Sequence, residues 1–215
     1  MVVDLSKINN MAKYILAALA AVVSLPNAAE AKGTPMENYS FDYSAHQLPI
    51  GWTTMQNAVA LHDFMKLNSA VEGRGGTILL ERPLFTKEIE LDIEFQLNSN
   101  PDTSRGFEVI FNQNFYNTHE FEEAHFGYRS DYEGIGVYVF RSNTRQNKWY
   151  VMTLQGNGAK SVFKQPKNMG SGLTSQNSCL IDVKDHERMG VRITLTKNEI
   201  ITEIEGPGEY SFKAC

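Results

Sequence analysis

Cysteine is scarce in this sequence: among its 215 residues only Cys179 and Cys215 occur, so a redox-active Cys-x-x-Cys pair is missing. A basic excess is missing too, since 20 lysines and arginines face 25 aspartates and glutamates. A nucleic-acid surface needs concentrated positive charge, so no nucleic-acid partner is expected. The sequence also lacks internal repeats, nucleophile-elbow motifs and phosphate-binding loops, which disfavours propellers and several enzyme classes.

A long apolar run occurs once, at residues 14–25 near the N-terminus. Two lysines precede it, and Ala29-Glu30-Ala31 supplies the small residues that a signal peptidase requires. The run is about a dozen residues, whereas a membrane-spanning helix needs about 20. We therefore predict a signal peptide over residues 1–31, in preference to an N-terminal anchor or a core helix. The mature chain is then lumenal or secreted, with no transmembrane segment.

Residues 32–47 are interpreted as a linker, which contains the N-glycosylation sequon at Asn38. Both cysteines follow in the mature part. In an oxidising lumen such a pair usually forms a disulfide, the alternative being two free thiols. A bridge between Cys179 and Cys215 would enclose about 36 residues and stabilise the fold by ~3–4 kcal/mol.

Strand patterns dominate after residue 50. Residues 88–95 alternate charged and apolar side chains, as a strand with one buried face does. Residues 191–195 alternate as well, and with 200–204 they form a hairpin pattern around Lys197-Asn198. Further strands are predicted at residues 77–80, 106–111, 136–140 and 149–154. Long polar loops at 112–131 and 155–177 separate them. The sequence therefore predicts an all-β sandwich or barrel.

The order of several short motifs resembles a known family. The closest match is Phe126-Gly127 followed by the segment from Asp131 to Val137, where an acid and an aromatic residue precede Gly-x-Gly. Pro49-Ile50-Gly51-Trp52, Arg105-Gly106 and Ser178-Cys179 occur at matching places. Over residues 48–215 the chain is similar to the L-type lectin-like domain of cargo receptors of the endoplasmic reticulum and Golgi. The resemblance implies a concanavalin-like antiparallel β-sandwich.

The resemblance also implies a sugar site, and it places three ligand-binding candidates in loops: Ser69, Arg105 and Asn143. The family holds these loops with calcium, which prefers six to eight oxygen ligands. Here Arg105 stands where the family has an aspartate, and Arg141 and Arg145 flank Asn143. Guanidinium groups cannot ligate a cation. We therefore predict that the family calcium site is lost, with no metal and no cofactor.

The resemblance implies a lumenal lectin-like protein that binds glycoproteins or high-mannose glycans, or assists a cargo-receptor complex between these compartments. The family continues past its second cysteine into a further strand, and its cargo receptors carry a coiled coil and a membrane anchor after that. Either this chain is a truncated product that stops at Cys215, or its site is incomplete. One alternative is a protein-interaction module of the secretory pathway that has lost sugar binding.

Another alternative is a secreted glycan hydrolase using acids such as Glu90 and Glu94, but alternation is the ordinary pattern of an exposed strand, so no enzyme is expected. Two smaller patterns allow two interpretations each. His119 and His125 fit an acidic loop better than a metal site, and Trp149 fits the core better than a glycan contact.

Overall fold

A computed structural model describes most of the domain. The described residues are 36, 40, 48, 50–61, 64–67, 75–97, 106–113, 131–142, 148–158, 178–183, 187–209 and 211–215, together with the backbone of 2–4 and 16–17. Among them the regular structure is entirely β-strand. Within this part of the chain, no helix is long and apolar enough to cross a membrane.

Fourteen strands occur in the described residues. They are β1 (Val2–Asp4), β2 (Leu16–Ala17), β3 (Trp52–Gln56), β4 (Val59–Ala60), β5 (Met65–Lys66), β6 (Gly76–Leu80), β7 (Ile89–Gln96), β8 (Gly106–Asn112), β9 (Glu133–Arg141), β10 (Lys148–Asn157), β11 (Ser178–Asp182), β12 (Arg188–Leu195), β13 (Glu199–Glu205) and β14 (Lys213–Ala214). Seven of them correspond to predicted strands, with bounds that differ from the predicted ones by at most three residues: β6 to β10, β12 and β13.

The strands form two main antiparallel sheets. The seven-stranded sheet has the order β11-β10-β9-β8-β2-β6-β3. The five-stranded sheet has the order β1-β13-β12-β7, with β14 added to β13, and β4 and β5 form a separate hairpin. One apolar cluster joins the two sheets, with Val137 and Trp149 from the first and Ile93 and Ile193 from the second. This confirms the predicted all-β sandwich.

The five-stranded sheet follows the predicted alternation. In β7, Ile93 and Phe95 are buried in the shared core, whereas Asp92 and Glu94 lie on the opposite face. In β12, Arg192 lies directly opposite Asp92 in the strand register. Side chains one residue apart on a strand point to opposite faces. The charged face of this sheet is therefore a direct consequence of the period-two sequence pattern.

The central strands of the seven-stranded sheet are instead buried on both faces. In β9, Val137 and Val139 belong to the shared core, while Tyr138 and Phe140 belong to a second apolar cluster. The predicted loop at 155–177 begins too early by three residues, because β10 continues to Asn157. Gly156 pairs with Gly134 there, and a Cβ at Gly156 would lie 2.4 Å from the carbonyl oxygen of Tyr132.

A disulfide joins Cys179 to Cys215, with their Cα atoms 5.3 Å apart. Cys179 lies in β11 at the edge of the seven-stranded sheet. Cys215 follows β14, and its backbone N–H donates to the carbonyl oxygen of Thr202 in the five-stranded sheet, at 2.8 Å. The bridge therefore ties the two sheets together, and the predicted pairing is confirmed.

Candidate functional site

The ends of six strands lie at one end of the seven-stranded sheet. The register pairs Gln56 with Gly76, Gly106 with Phe140, and Lys148 with Asp182. Both β6 and β8 are antiparallel to β2, so Gly76 and Gly106 lie at the same end of the sheet. We call this end the loop end. It is where the predicted ligand loops leave the sheet.

The three predicted ligand-binding residues lie outside the described residues: Ser69, Arg105 and Asn143. Their nearest described neighbours in sequence converge on the loop end. Gly106 begins β8 there, and Ser142 directly follows β9. The carbonyl oxygen of Leu67 lies against Gly76 at the same end. The strand order thus brings together the attachment points of three separate loops.

Glycine is required at two of these attachment points. A Cβ on Gly76 would lie 1.8 Å from the carbonyl oxygen of Leu67 and 2.4 Å from the backbone nitrogen of Ala58. Gly106 has a φ of +137°, and a Cβ there would lie 2.0 Å from the carbonyl oxygen of Val139. Both positions allow backbone segments to approach more closely than any side chain would permit.

Polar groups and positive charge surround the loop end. The Nζ atom of Lys148 lies 2.5 Å from Oδ1 of Asp182, which is mostly exposed. The backbone N–H of Ser142 donates to the carbonyl oxygen of Lys148 at 2.9 Å, and the side-chain amide of Asn57 donates to the carbonyl oxygen of Gly75 at 2.9 Å. Hydroxyl-rich ligands are recognised by donors and acceptors of this kind.

The described residues of the loop end do not fit a calcium ion. The last residues of β9 are Phe140, which is buried and stacks on Tyr150 with 5.5 Å between ring centroids, and Arg141. The carboxylate of Asp182 is paired with Lys148. Within the described part of the chain, no three His, Cys, Asp or Glu side chains are grouped as metal ligands.

The second apolar cluster lies on the face of the seven-stranded sheet away from the shared core. We call this the second face. Tyr138 donates its hydroxyl to the Tyr132 hydroxyl at 3.0 Å, and Glu108 lies opposite Tyr138 in the register. Burial raises the pKa of both tyrosines above the ordinary range, and the charge of Glu108 adds to the effect. Both phenols therefore stay protonated at physiological pH and remain donors.

Sequence reasoning missed the Glu108 and Tyr138 pair. The available signal was one acid inside the otherwise apolar segment 106–111, and that signal does not name its partner. Other predictions lie outside the described residues, namely those for Asn38, His119 and His125. Trp149 is buried in the shared core, which confirms the favoured interpretation of this residue.

The acids of β7 are held in ion pairs on the outer face of the five-stranded sheet. Arg192 donates from Nε and Nη2 to the two carboxylate oxygens of Asp92, both at 2.7 Å, and its Nε lies 3.9 Å from Glu90. Arg188 pairs with Glu94. A glycosidase needs one carboxyl group with a raised pKa and one free to act. Carboxylates bound to guanidinium groups favour a structural role instead.

Two antiparallel sheets around one core, joined by a disulfide, define a concanavalin-like β-sandwich. The chain belongs to the legume-like lectin family, whose model matches residues 34–215. The match begins before residue 48, so it includes most of the predicted linker. By sequence alone, the chain matches no curated protein.

Solved structures show the same fold at low sequence identity. The exoplasmic/lumenal domain of VIP36 in its metal-free form is 15% identical, with a TM-score of 0.61 over 78% of this chain and 70% of that one. Its form with calcium and mannose is 12% identical, with a TM-score of 0.60 over 78% and 69%. The metal-free carbohydrate recognition domain of Emp46p is 13% identical, with a TM-score of 0.51 over 72% and 68%.

Proposed function

We propose that this chain is a lumenal lectin-like protein that binds the glycans of glycoproteins without calcium. Family membership supports the lectin-like role. The observation that carries the calcium-independent part is the composition of the loop end. Arg141 and Lys148 bring two positive charges to the loop end, and the carboxylate of Asp182 is already paired with Lys148. A hydroxyl-rich ligand would then be held by hydrogen bonds and cationic donors alone.

The proposed ligand class is high-mannose glycan. VIP36 has been crystallised with mannose, with Man2 and with Man3GlcNAc, each together with calcium. The predicted signal peptide supports a lumenal or secreted location for this chain. We further propose that it assists cargo-receptor transport between the endoplasmic reticulum and the Golgi, with a receptor protein as partner.

A glycan array tests the proposal most directly. The secreted product of the full chain is applied once with calcium and once with EDTA. We expect binding to high-mannose glycans of similar strength in both conditions. Binding that disappears in EDTA would contradict the calcium-independent site, because removal of the ion would then remove the ligand.

A substitution at the loop end sharpens this test. Arg141→Ala removes one cationic donor, and we expect it to weaken glycan binding about tenfold, as loss of one charged hydrogen bond does. The control is Lys197→Ala, which removes one positive charge from the exposed turn between β12 and β13. Equal effects of the two substitutions would place the glycan elsewhere.

A second candidate function is a protein-interaction module without sugar binding. The observation that favours it is a group of exposed apolar side chains in residues 50–85. Phe85 and Ile50 are 84% and 79% exposed, and Val59, Leu61 and Phe64 are exposed as well. Where such side chains form one contiguous exposed patch, the patch marks a protein contact. A blank glycan array in both calcium and EDTA would favour this module over the lectin.

A further inference from the structure

The hairpin of β4 and β5 has one exposed face that is mostly apolar. The register pairs Val59 with Lys66, and the backbone N–H of Leu61 donates to the carbonyl oxygen of Phe64 at 2.9 Å. Residues two apart on a strand point to the same face, so these four side chains lie together. The apolar ones are all exposed: Phe64 by 51%, Val59 by 49% and Leu61 by 42%. They form one contiguous patch, which we call the hairpin face.

The opposite face of the hairpin is packed on the sandwich. Met65 is 6% exposed and belongs to the shared core, as does Ala58 directly before β4. Leu67, directly after β5, packs against the same core. A two-stranded hairpin is marginally stable by itself, so these core contacts are what hold it in place. The hairpin face is therefore the outer side of an element anchored on its inner side.

The hairpin leaves the sheet at the loop end. Ala58 and Leu67 flank the hairpin, and backbone atoms of both lie against Gly76 at that end. Three strand spacings separate β6 from β9, so about 15 Å lies between Gly76 and Arg141 at the end of β9. An ordinary protein contact covers about 800 Å² on each partner, which is about 30 Å across. One bound partner would thus contact both the hairpin face and the proposed glycan site.

A glycan held at the loop end brings its own polypeptide to that end, because the two are covalently joined. The carrier polypeptide is therefore the surface that glycan binding itself delivers to the hairpin face, at a high effective concentration. Folded proteins rarely expose a large apolar patch, whereas incompletely folded chains expose apolar surface. Burial of such surface against the hairpin face would remove both from water. The hairpin face thus fits an exposed apolar segment beside a glycan.

We propose that the hairpin face binds apolar side chains of the glycoprotein next to the bound glycan. The domain then prefers glycoproteins that expose apolar segments near their glycans, which is the state of a chain that has not completed folding. This inference rests on the proposed glycan binding and adds the class of polypeptide that carries the glycan. The two contacts together give a higher affinity than either contact alone.

Two synthetic glycopeptides test the proposal on the secreted product of the full chain. Both carry the same high-mannose glycan on one asparagine. Leucine and phenylalanine flank that asparagine in the first, and serine replaces them in the second. By titration calorimetry we expect the apolar glycopeptide to bind about tenfold more tightly than the serine glycopeptide, as burial of an apolar side chain does. The free glycan should bind about as tightly as the serine glycopeptide.

A double variant locates the preference. Leu61→Ser with Phe64→Ser changes two exposed positions of the hairpin face. We expect this variant to lose the tenfold preference and to keep its affinity for the free glycan, which also shows that the fold is intact. The matched control is Ile50→Ser with Phe85→Ser, two exposed apolar residues beyond the other ends of β3 and β6. The control variant should keep the preference.

Equal binding of the two glycopeptides, with the free glycan still bound, would overturn this inference and leave the proposed function intact. A preference that survives in the hairpin variant, or that both double variants lose, would also overturn it. If neither the free glycan nor any glycopeptide bound, both proposals would fail. Self-association, or binding to phosphatidylcholine vesicles, that only the hairpin substitutions abolish would assign the face to a second copy or to a lipid surface, against the proposal.

Discussion

The two sheets of this sandwich share one core but treat their other faces differently. In the five-stranded sheet the outer face carries acids and arginines in ion pairs, as between Asp92 and Arg192. In the seven-stranded sheet the corresponding face carries Tyr138, Phe140 and Met152, all buried. In the first arrangement the acids are paired with arginines on the same face. The second places polar groups such as Glu108 in an apolar setting, where their interactions are stronger than in water.

The largest expected effect tests whether the second face is packed like a core. Phe140 is 1% exposed and stacks on Tyr150, so Phe140→Ala should cost about 3–5 kcal/mol in the free energy of unfolding. Urea denaturation measures it. The control is Phe85→Ala, because Phe85 is 84% exposed and should change stability by less than about 0.5 kcal/mol. Similar costs for the two substitutions would show that the second face is not packed like a core.

An intermediate effect tests the charged face. The Arg192 and Asp92 side chains are 7% and 34% exposed, so the pair is partly screened by solvent. Arg192→Met should lower the free energy of unfolding by about 1–3 kcal/mol, because it removes the guanidinium group that pairs with Asp92. This loss is smaller than the loss expected for a fully buried pair. The double variant Arg192→Met with Asp92→Leu should recover most of that loss.

A double-mutant cycle built on urea unfolding gives the coupling between the two residues. If the double variant lost as much stability as the two single variants together, the interaction between the two side chains would contribute nothing to stability. The outer face would then depend on packing, as through the contact of Arg192 with the Phe212 ring at 4.2 Å.

The smallest effect concerns Glu205, at the edge of the charged face. Burial raises the pKa of Glu205 above its ordinary value of 4.5, although Arg192 partly opposes the shift. The folded state then binds more protons than the unfolded state in this window, so its contribution to stability falls as the pH rises through the raised pKa. Glu205→Gln should therefore raise Tm at pH 7, by less than about 2 °C, and the gain should shrink as the pH falls toward 4.5.

Scanning calorimetry between pH 4 and pH 8 tests this expectation. Glu199→Gln on the same strand is the control for the loss of one negative charge. A gain from Glu205→Gln that grew as the pH fell would have the wrong sign.

Local alternation was enough to predict β7, β12 and the charged face, because these depend on neighbours within one strand. The hairpin of β12 and β13 and the buried face of β7 could be predicted in this way. The extension of β10 through Gly156 could not, since a glycine required by close packing against Tyr132 looks the same in sequence as a turn glycine. Alternation gives the period of a strand and not its partner.

The candidate site depends on which strands pair with each other, and the alternation within one strand does not reveal that pairing. Only the strand order shows that Gly76 and Gly106 lie at one end of the sheet. The contact of Glu108 with the Tyr138 strand is likewise a pairing between distant segments. The resemblance supplied Ser69, Arg105 and Asn143 as ligand candidates, and these remain predictions.

The bridge between Cys179 and Cys215 also orders events during biosynthesis. Cys215 follows every strand of the described sandwich, so the ribosome must deliver both sheets before this thiol can meet its partner. Domains fold as units during synthesis, N-terminal parts first. Oxidation of this pair is thus a late step, and the fraction of oxidised chains reports how many have brought β11 and the end of β14 together.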